Sequence, residues 1–322
     1  MKRILRAAFA ALVVIAAPAA LAQAWPARTV KVIVGFPPGG STDQVARVLA
    51  QHLTTQLGQQ FVVENRPGAS ASIGAAAVAS APADGYTIGV VFDTHGVNPS
   101  LIPSLSFDTM KDLTTVMLVG TSPMALVTHP SNAFKDFRDV LAAAKAKPGS
   151  VAIGSIGSGS LGHLAIAQIG NLQGVELTHV PYKGGGPLMT DAIGNQVPVA
   201  IGSAFLVNPH VKAGKVRALA VTSAKASPAL PGVAPVAEQG VPGFAALSWW
   251  GVIAPAKLPP PVLAKLVEEL QKALKVPAIA EKLQAQGMEI VGSGPEDSAR
   301  FLKGEIDRWA KVVKDNRIKA GD

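Results

Sequence analysis

Two glycine-rich loops contain the residues of this sequence whose types and spacing best fit ligand-binding chemistry. The first loop is residues 36–43, where Pro-Pro-Gly-Gly is followed by Ser41, Thr42 and an acid. The second is residues 157–160, with the sequence Gly-Ser-Gly-Ser. Each follows an apolar run and precedes residues at helical spacing, which predicts a strand, a loop and a helix start. Free backbone N–H groups at a helix start attract anions, so the loops predict a site for an anionic ligand.

Each glycine-rich loop is followed by another short strand that ends in a basic turn. In the first copy this strand and turn are residues 61–68, and in the second they are residues 177–184. The second turn contains Pro-Tyr-Lys-Gly at residues 181–184. A strand-loop-helix-strand order that occurs twice predicts an α/β protein with two similar lobes. The ligand is then expected to lie between the lobes, clamped by the two loops.

Further candidate residues follow other predicted strands. Thr94 and His95 lie in a predicted loop directly after the strand at residues 87–92, and Ser203 follows the strand at residues 197–201. Open α/β sheets bind ligands at the carboxyl ends of their strands, although stabilising a turn is an equal alternative for Thr94 and His95. The predicted ligand-binding residues are Phe36, Pro37, Gly39, Gly40, Ser41, Thr42, Asp43, Thr94, His95, Gly157, Ser158, Gly159, Ser160, Pro181, Tyr182, Lys183, Gly184 and Ser203.

Formal charges are few near the two loops. Neither loop contains an arginine, so Lys183 is the predicted cation beside the ligand. Asp43 is expected to face away from the ligand and to accept hydrogen bonds from the backbone of the first lobe, because like charges repel strongly in a cleft of low dielectric. The ligand is expected to bind to loop N–H groups and to hydroxyls, including that of Ser160.

The other predicted elements connect and support the two lobes. Strand-like runs at residues 113–119 and 124–128 are separated by Thr-Ser-Pro, and the second run is predicted to enter the second lobe. A return strand at residues 244–254 contains Trp249 and Trp250, which fit core or hinge packing better than stacking on a ligand. The predicted division is a discontinuous lobe 1 at residues 24–122 and 245–322, with lobe 2 at residues 123–244.

The N-terminus has the pattern of an export signal. Lys2, Arg3 and Arg6 precede an apolar run at residues 7–17, and cleavage is expected after Ala22 or Ala24. Residues 1–23 are therefore predicted to be a signal peptide, and the mature chain is predicted to be periplasmic. The sequence contains no cysteine, which excludes a lipoprotein anchor and disulfide bonds.

Composition excludes some partners and favours others. Removing residues 1–23 removes three basic residues and no acidic one, so the formal net charge falls from +8 to +5. The basic residues are scattered and only 5% of residues are aromatic, which argues against nucleic-acid binding. A modest positive field suits a small anion. About 300 remaining residues are enough for two domains, and a monomer is expected.

The enzyme motifs that occur in the sequence are incomplete. Gly157, Gly159 and Gly162 fit the G-x-G-x-x-G pattern of dinucleotide sites, but Glu176 precedes the next strand instead of ending it. A secreted NAD-type oxidoreductase remains the alternative from another class. The six histidines lack the close spacing of metal ligands. No catalytic residue, metal or cofactor is predicted.

Six ordered segments resemble the Bug family, the extracytoplasmic solute-binding proteins associated with tripartite tricarboxylate transporters. The resemblance extends from about residue 25 to the C-terminus. One departure from the family pattern lies at residues 224–235 and concerns the local loop structure. The matching segments are residues 33–43, 63–69, 82–87, 179–184, 217–222 and 250–255.

The resemblance implies a two-lobed, Venus-flytrap periplasmic binding fold of the type II-like kind, with a mixed sheet flanked by helices in each lobe. It also implies a mono-, di- or tricarboxylate ligand at residues 36–43, 157–160 and 181–184. Membrane transporter subunits are the implied partners. A sensor that reports its ligand to a membrane signalling protein would use the same cleft, so the sequence leaves both partners open.

Overall fold

The computed structural model describes residues 25–319, so the predicted signal peptide lies outside the described residues. The strands are β1 (Val30–Val34), β2 (Phe61–Asn65), β3 (Thr87–Phe92), β4 (Leu113–Thr128), β5 (Ala152–Ser155), β6 (Thr178–Pro181), β7 (Val199–Ser203), β8 (Arg217–Val221), β9 (Leu247–Pro255) and β10 (Glu289–Ile290). The helices are α1 (Ser41–Leu57), α2 (Ser72–Ala79), α3 (Thr94–Leu101), α4 (Phe137–Ala146), α5 (Leu161–Gln173), α6 (Gly185–Ile193), α7 (Ala204–Lys212), α8 (Pro260–Lys275), α9 (Pro277–Ala285) and α10 (Pro295–Asp315).

The strands form one mixed sheet in the order β2-β1-β3-β9-β4-β7-β5-β6, with β8 and β10 also paired to β4. Strands β2, β1 and β3 are parallel at one end, and β6, β5 and β7 are parallel at the other. Antiparallel pairs through β9 and β4 join the two ends. Parallel strands require crossover connections, which accounts for the helices that follow β1, β2, β5 and β6.

Strand β4 connects the two ends of the sheet as one continuous element. From Leu113 to Pro123 it pairs with β9, and from Met124 onward it pairs with β7 and β8. The prediction of two strands separated at Thr-Ser-Pro is therefore wrong. These residues stay extended because Thr121, Ser122 and Pro123 still pair with β9 up to the point where the partner changes.

Two large hydrophobic clusters hold the helices on the sheet. Helix α1 buries Val45, Leu49 and Leu53 at helical spacing against β1 and β3. Around the other end, Phe137 of α4 and Leu164 of α5 pack with β5 and β7. Burying a side chain of this size contributes about 1.5–3 kcal/mol, so each helix is stabilised chiefly by its apolar face.

The segment after β3 is a helix and not the predicted loop. Helix α3 has Val97 and Leu101 on one face, and both side chains are buried in the cluster that contains α4 and α5. Its Asn-Pro pair suggested a loop, since proline lacks the N–H group that an interior helical residue donates. Packing of the apolar face against the far end of the sheet outweighs this local signal.

Both tryptophans of β9 belong to the core. Trp249 is 2% exposed and packs edge-on against Phe301 of α10, while Trp250 is fully buried beside Phe92 and Phe205. The predicted core packing is confirmed, because neither ring lines the large cavity described below. Within residues 25–319, none of the helices has both the length and the apolar character needed to cross a bilayer.

Candidate functional site

A cavity of about 580 Å³ lies where the loops at the carboxyl ends of β1, β3, β5 and β6 meet. This volume is in the range of small-molecule sites. One wall comes from the loop after β1, the segment after β2 and the start of α3, and the opposite wall from the loops after β5 and β6. The lining residues are Gly35, Phe36, Pro37, Pro67, Gly68, Ala69, Ser70, Ala71, Thr94, Ile156, Gly157, Ser158, Ser160, Pro181, Tyr182, Lys183 and Gly184.

The predicted residues fall into three groups by position: on the cavity wall, beside a smaller adjoining space, and outside both. Those on the cavity wall are Phe36, Pro37, Thr94, Gly157, Ser158, Ser160, Pro181, Tyr182, Lys183 and Gly184. A smaller adjoining space is lined by Phe36 together with Gly40, Ser41, Thr42 and Ser203. The residues that line neither space are Gly39, Asp43, His95 and Gly159.

Asp43 stabilises the first loop through hydrogen bonds and does not line the cavity. Its Oδ2 accepts hydrogen bonds from the Gly39 backbone N–H (3.0 Å) and from Nε of Arg47 (2.9 Å), and its Oδ1 accepts one from Asn65 (2.9 Å). Burial raises the pKa of Asp43, but the bonds from Arg47, Gly39 and Asn65 outweigh burial and lower it below its ordinary value. The expected bond to the backbone of the first lobe is confirmed, and Arg47 compensates the charge.

The N–H groups of the second glycine loop donate within the protein. The Gly157 N–H donates to the Ser155 hydroxyl (3.2 Å), that of Gly159 to Nδ1 of His163 (3.0 Å) and that of Ser160 to the Gly157 carbonyl (3.1 Å). In this structure these three N–H groups therefore donate within the protein and not into the cavity. A sequence with Ser155 and His163 beside the loop offers internal acceptors, and the folded loop uses them.

The Ser160 hydroxyl is an N-cap and not a free ligand contact. Its oxygen accepts a hydrogen bond from the His163 N–H (3.3 Å) and donates to the Ser155 hydroxyl (3.2 Å), and the residue is 1% exposed. The His163 ring stacks on that of His179 at 3.8 Å, and Nε2 of His179 lies 2.7 Å from the Ser155 hydroxyl. This buried network fixes the loop that forms one wall of the cavity.

The turn after β6 completes the same wall. The backbone N–H groups of Tyr182 and Gly184 donate to the carbonyls of Ser155 and Ile156. The Tyr182 hydroxyl donates to Asp191 (3.0 Å), and burial together with Asp191 raises the pKa of Tyr182 to about 12. Among the described residues that line the cavity, Lys183 is the only charged one, and it lies exposed at the rim.

Residues 67–71 form a part of the wall that sequence reasoning missed. Ala69, Ser70 and Ala71 have positive φ angles of 44°, 52° and 70°. This left-handed conformation costs a non-glycine residue about 1–2 kcal/mol and is concentrated at functional sites. The preceding Gly68 was the one local signal for such a turn, because alanine and serine rarely adopt this conformation.

Helix starts surround the cavity. The N-cap residues of α2, α5 and α6 are Ala71, Ser160 and Gly184, and Thr94 is the first residue of α3; all of them line the wall. The positive ends of four helix dipoles favour a negative charge there. Thr94 is 2% exposed, and its hydroxyl oxygen has no hydrogen-bond partner within residues 25–319. A buried polar group of this kind gains stability from a ligand that bonds to it.

Gly159 and Gly39 provide a matched test of the loop packing. Both have positive φ, but an added Cβ would lie 1.8 Å from Cδ2 of Leu101 at Gly159 and would meet nothing within 4 Å at Gly39. We expect Gly39→Ala to lower the free energy of unfolding by about 1–2 kcal/mol, from backbone strain alone. Gly159→Ala should cost about 1–3 kcal/mol more because the buried Leu101 side chain of α3 has to shift. Urea unfolding measures both, and equal losses would contradict the contact between Gly159 and α3.

The chain is similar to known proteins along nearly its full length. BugT of Bordetella pertussis (strain Tohama I) is 39% identical over 307 residues, which are 95% of this chain and 94% of BugT. The solved structure of R. palustris Rpa4515 with adipate is 35% identical, with a TM-score of 0.88 and coverage of 92% of this chain and 99% of that one. The periplasmic binding protein BugD is 32% identical, with a TM-score of 0.87 and coverage of 92% and 99%.

These similarities confirm the predicted α/β fold of two-lobed periplasmic binding proteins and the resemblance to the Bug family. A family model described as "Tripartite tricarboxylate transporter family receptor" matches residues 45–318. That match covers most of the chain, including both walls of the cavity beyond the first glycine loop. The chain therefore belongs to the tripartite tricarboxylate transporter receptor family, TctC.

Proposed function

We propose that this chain is a periplasmic solute-binding protein that captures a small carboxylate in the cavity and delivers it to a membrane transporter. The observation that carries the proposal is the arrangement of the cavity wall, where four helix starts surround a space with Lys183 as its charged lining residue. The relative Rpa4515, whose structure contains adipate, supports a carboxylate. The lobe boundaries at residues 122 and 245, the predicted binding residues that line the cavity or the space beside it, and the monomeric state belong to the same proposal.

The available interactions are sufficient for a useful affinity. Each helix start contributes about 0.3–1 kcal/mol to binding of an anion, which is too little alone. Hydrogen bonds to a charged ligand contribute about 1.5–3 kcal/mol each. One bond from Thr94 and one from Lys183, together with the helix starts and the burial of apolar ligand surface, approach the ~8 kcal/mol of micromolar binding.

The composition of the cavity wall predicts an order of affinity among carboxylates. Phe36, Ile156 and several prolines and alanines line most of it, and the hydroxyls of Ser160 and Tyr182 already bond within the protein. A second carboxylate on the ligand would be desolvated without a second lysine or arginine on the wall, which is unfavourable. We therefore expect acids with one carboxylate and an apolar body to bind better than tricarboxylates.

A thermal-shift panel of acids tests the proposed function directly. We expect at least one of hexanoate, benzoate, succinate, adipate, malate and citrate to raise the melting temperature of the mature chain, because ligand that binds only the folded state stabilises it. NAD and NADP serve as controls for the oxidoreductase alternative and should give no shift. If every acid fails to raise the melting temperature at millimolar concentration, carboxylate capture is the wrong function for this cavity.

Replacing Lys183 tests the source of the positive field. We expect Lys183→Met to lower the affinity for the tightest-binding acid of the panel by about tenfold at low salt. The loss should be smaller at high salt, because ions screen an exposed charge. Lys225→Met is the control, since Lys225 lies in an exposed loop away from the cavity wall. Calorimetry at two salt concentrations measures both variants. An equal loss in the two variants would assign the effect to net charge instead of to the cavity rim.

A further inference from the structure

Ser70 joins the two walls of the cavity. Its hydroxyl donates a hydrogen bond of 2.7 Å to the backbone carbonyl of Ser158, 88 residues further along the chain. Both residues line the cavity, Ser70 on the wall after β2 and Ser158 on the wall after β5. The bond therefore lies at the site proposed for the ligand and connects residues that the two sheet ends contribute.

The position of Ser70 is set by the surrounding structure. Its φ and ψ angles are 52° and 43°, a left-handed conformation that a serine adopts only when contacts hold it there. Asn98 of α3, which is 2% exposed, donates from Nδ2 to the Ser70 carbonyl (2.9 Å). Leu101 of the same helix lies against Gly159, beside Ser158. Helix α3 thus contacts Ser70 directly and Gly159, the neighbour of Ser158.

This bond has a chemical consequence for an anionic ligand. A backbone carbonyl oxygen carries two lone pairs and a partial negative charge, so an acceptor that faces a carboxylate repels it. The Ser70 hydroxyl donates to one of these lone pairs, which lowers the capacity of the Ser158 carbonyl to accept another hydrogen bond. A ligand hydroxyl at the same place would have to compete with Ser70 for that lone pair.

We propose that Ser70 is a specificity-determining residue of this site, and the inference rests on the proposed carboxylate function. By occupying the Ser158 carbonyl, Ser70 favours carboxylates without a hydroxyl over their hydroxylated analogues. It also holds the two walls together around the ligand. Removing the Ser70 hydroxyl returns one acceptor lone pair to the cavity, and a hydroxy acid then gains a bond that its analogue lacks.

Two matched pairs of acids measure this selectivity: succinate with malate, and hexanoate with 2-hydroxyhexanoate. Calorimetry gives the affinity ratio within each pair for the wild-type chain and for Ser70→Gly and Ser70→Ala. We expect both variants to shift at least one ratio toward the hydroxy acid by about fivefold, the effect of one ordinary hydrogen bond. A purely structural role for Ser70 would change both members of a pair equally and leave the ratio constant.

Two comparisons distinguish the effect of losing the Ser70 hydroxyl from the effect of relieving backbone strain. Ser70→Gly relaxes the left-handed conformation as well as removing the hydroxyl, whereas Ser70→Ala removes the hydroxyl alone. Lys257→Gly relaxes another non-glycine residue of positive φ (64°) away from the cavity and should leave both ratios unchanged. Small-angle scattering of ligand-free protein gives a second readout, with a larger radius of gyration expected for both Ser70 variants because the walls lose their bond.

The outcomes distinguish this inference from the proposed function. Unchanged ratios in both Ser70 variants, with acids still bound, would overturn the role of Ser70 and leave carboxylate binding in place. Failure of the wild-type chain to bind any of the four acids or the rest of the panel would overturn the proposed function, and the inference with it. A ratio that shifts in Lys257→Gly as much as in Ser70→Gly would assign the effect to backbone strain and also overturn the inference.

Discussion

Thr94→Val should weaken carboxylate binding by about 10- to 100-fold while leaving the ligand-free melting temperature unchanged or slightly raised. Threonine and valine are both β-branched, so the substitution replaces the hydroxyl by a methyl group and creates no cavity. Because the Thr94 oxygen has no partner within the described residues, its loss removes no hydrogen bond from the ligand-free protein. The bond to the ligand is lost, and hydrogen bonds to charged groups are the strong ones.

Thr109 provides a closely matched control for this experiment. It is 5% exposed, its hydroxyl also has no partner in residues 25–319, and it lies outside the cavity wall. Thr109→Val should therefore leave affinity unchanged. Calorimetry and thermal unfolding on both variants are the measurements. Wild-type affinity in Thr94→Val would show that the Thr94 hydroxyl does not bond to the ligand, and that the start of α3 acts only through its backbone.

The sequence predicts the location of the cavity well because the signals for its loops are local. Glycine and proline end β1 at residues 35–40, and the Gly-Ser-Gly-Ser sequence at residues 157–160 lies between β5 and α5 as predicted. The carboxyl ends of parallel strands then bring both loops to the same region. This follows from chain direction alone, so the prediction needed no knowledge of side-chain contacts.

Features that depend on long-range packing were beyond the reach of sequence patterns. The left-handed turn at residues 69–71 is one, since an added Cβ at Gly35 would lie 2.5 Å from that of Ala71, and only the folded chain brings these residues together. The direction of the loop N–H groups is another. Glycine sequences indicate that N–H groups are available, but Ser155 and His163 determine where those groups donate.

Asp93 is a buried acid whose substitution should change the pH dependence of stability. It lies between β3 and α3, is fully buried, and neither carboxyl oxygen has a partner in hydrogen-bond geometry within the described residues. Burial raises the pKa of Asp93 well above its ordinary value. The Ser248 hydroxyl and the N–H groups of Leu161 and Thr94 are near enough to lower it in part, and Glu305 raises it further.

The raised pKa of Asp93 determines how the free energy of unfolding changes with pH. Between the unfolded pKa of about 3.9 and the higher folded pKa, the folded chain keeps a proton that the unfolded chain releases, so stability falls by about 1.4 kcal/mol for each unit of rising pH. His95 acts in the opposite direction. Burial lowers the pKa of His95 to about 4, so stability rises with pH between that value and the unfolded pKa of about 6.5. Where both groups titrate, the two effects oppose each other.

Asp93→Asn should therefore reveal the effect of His95. The amide cannot ionise, so we expect stability to rise by about 3 kcal/mol from pH 4 to pH 6.5 in the variant and by less in the wild-type chain, where the titration of Asp93 opposes that of His95. At neutral pH the variant should be more stable than wild type, and His95→Gln should give the reverse slope, falling as pH rises. Urea unfolding at about one-unit steps between pH 4 and pH 8 measures all three chains. Parallel pH profiles for wild type and Asp93→Asn would mean that Asp93 is ionised in the fold, with a partner or water that compensates its buried charge.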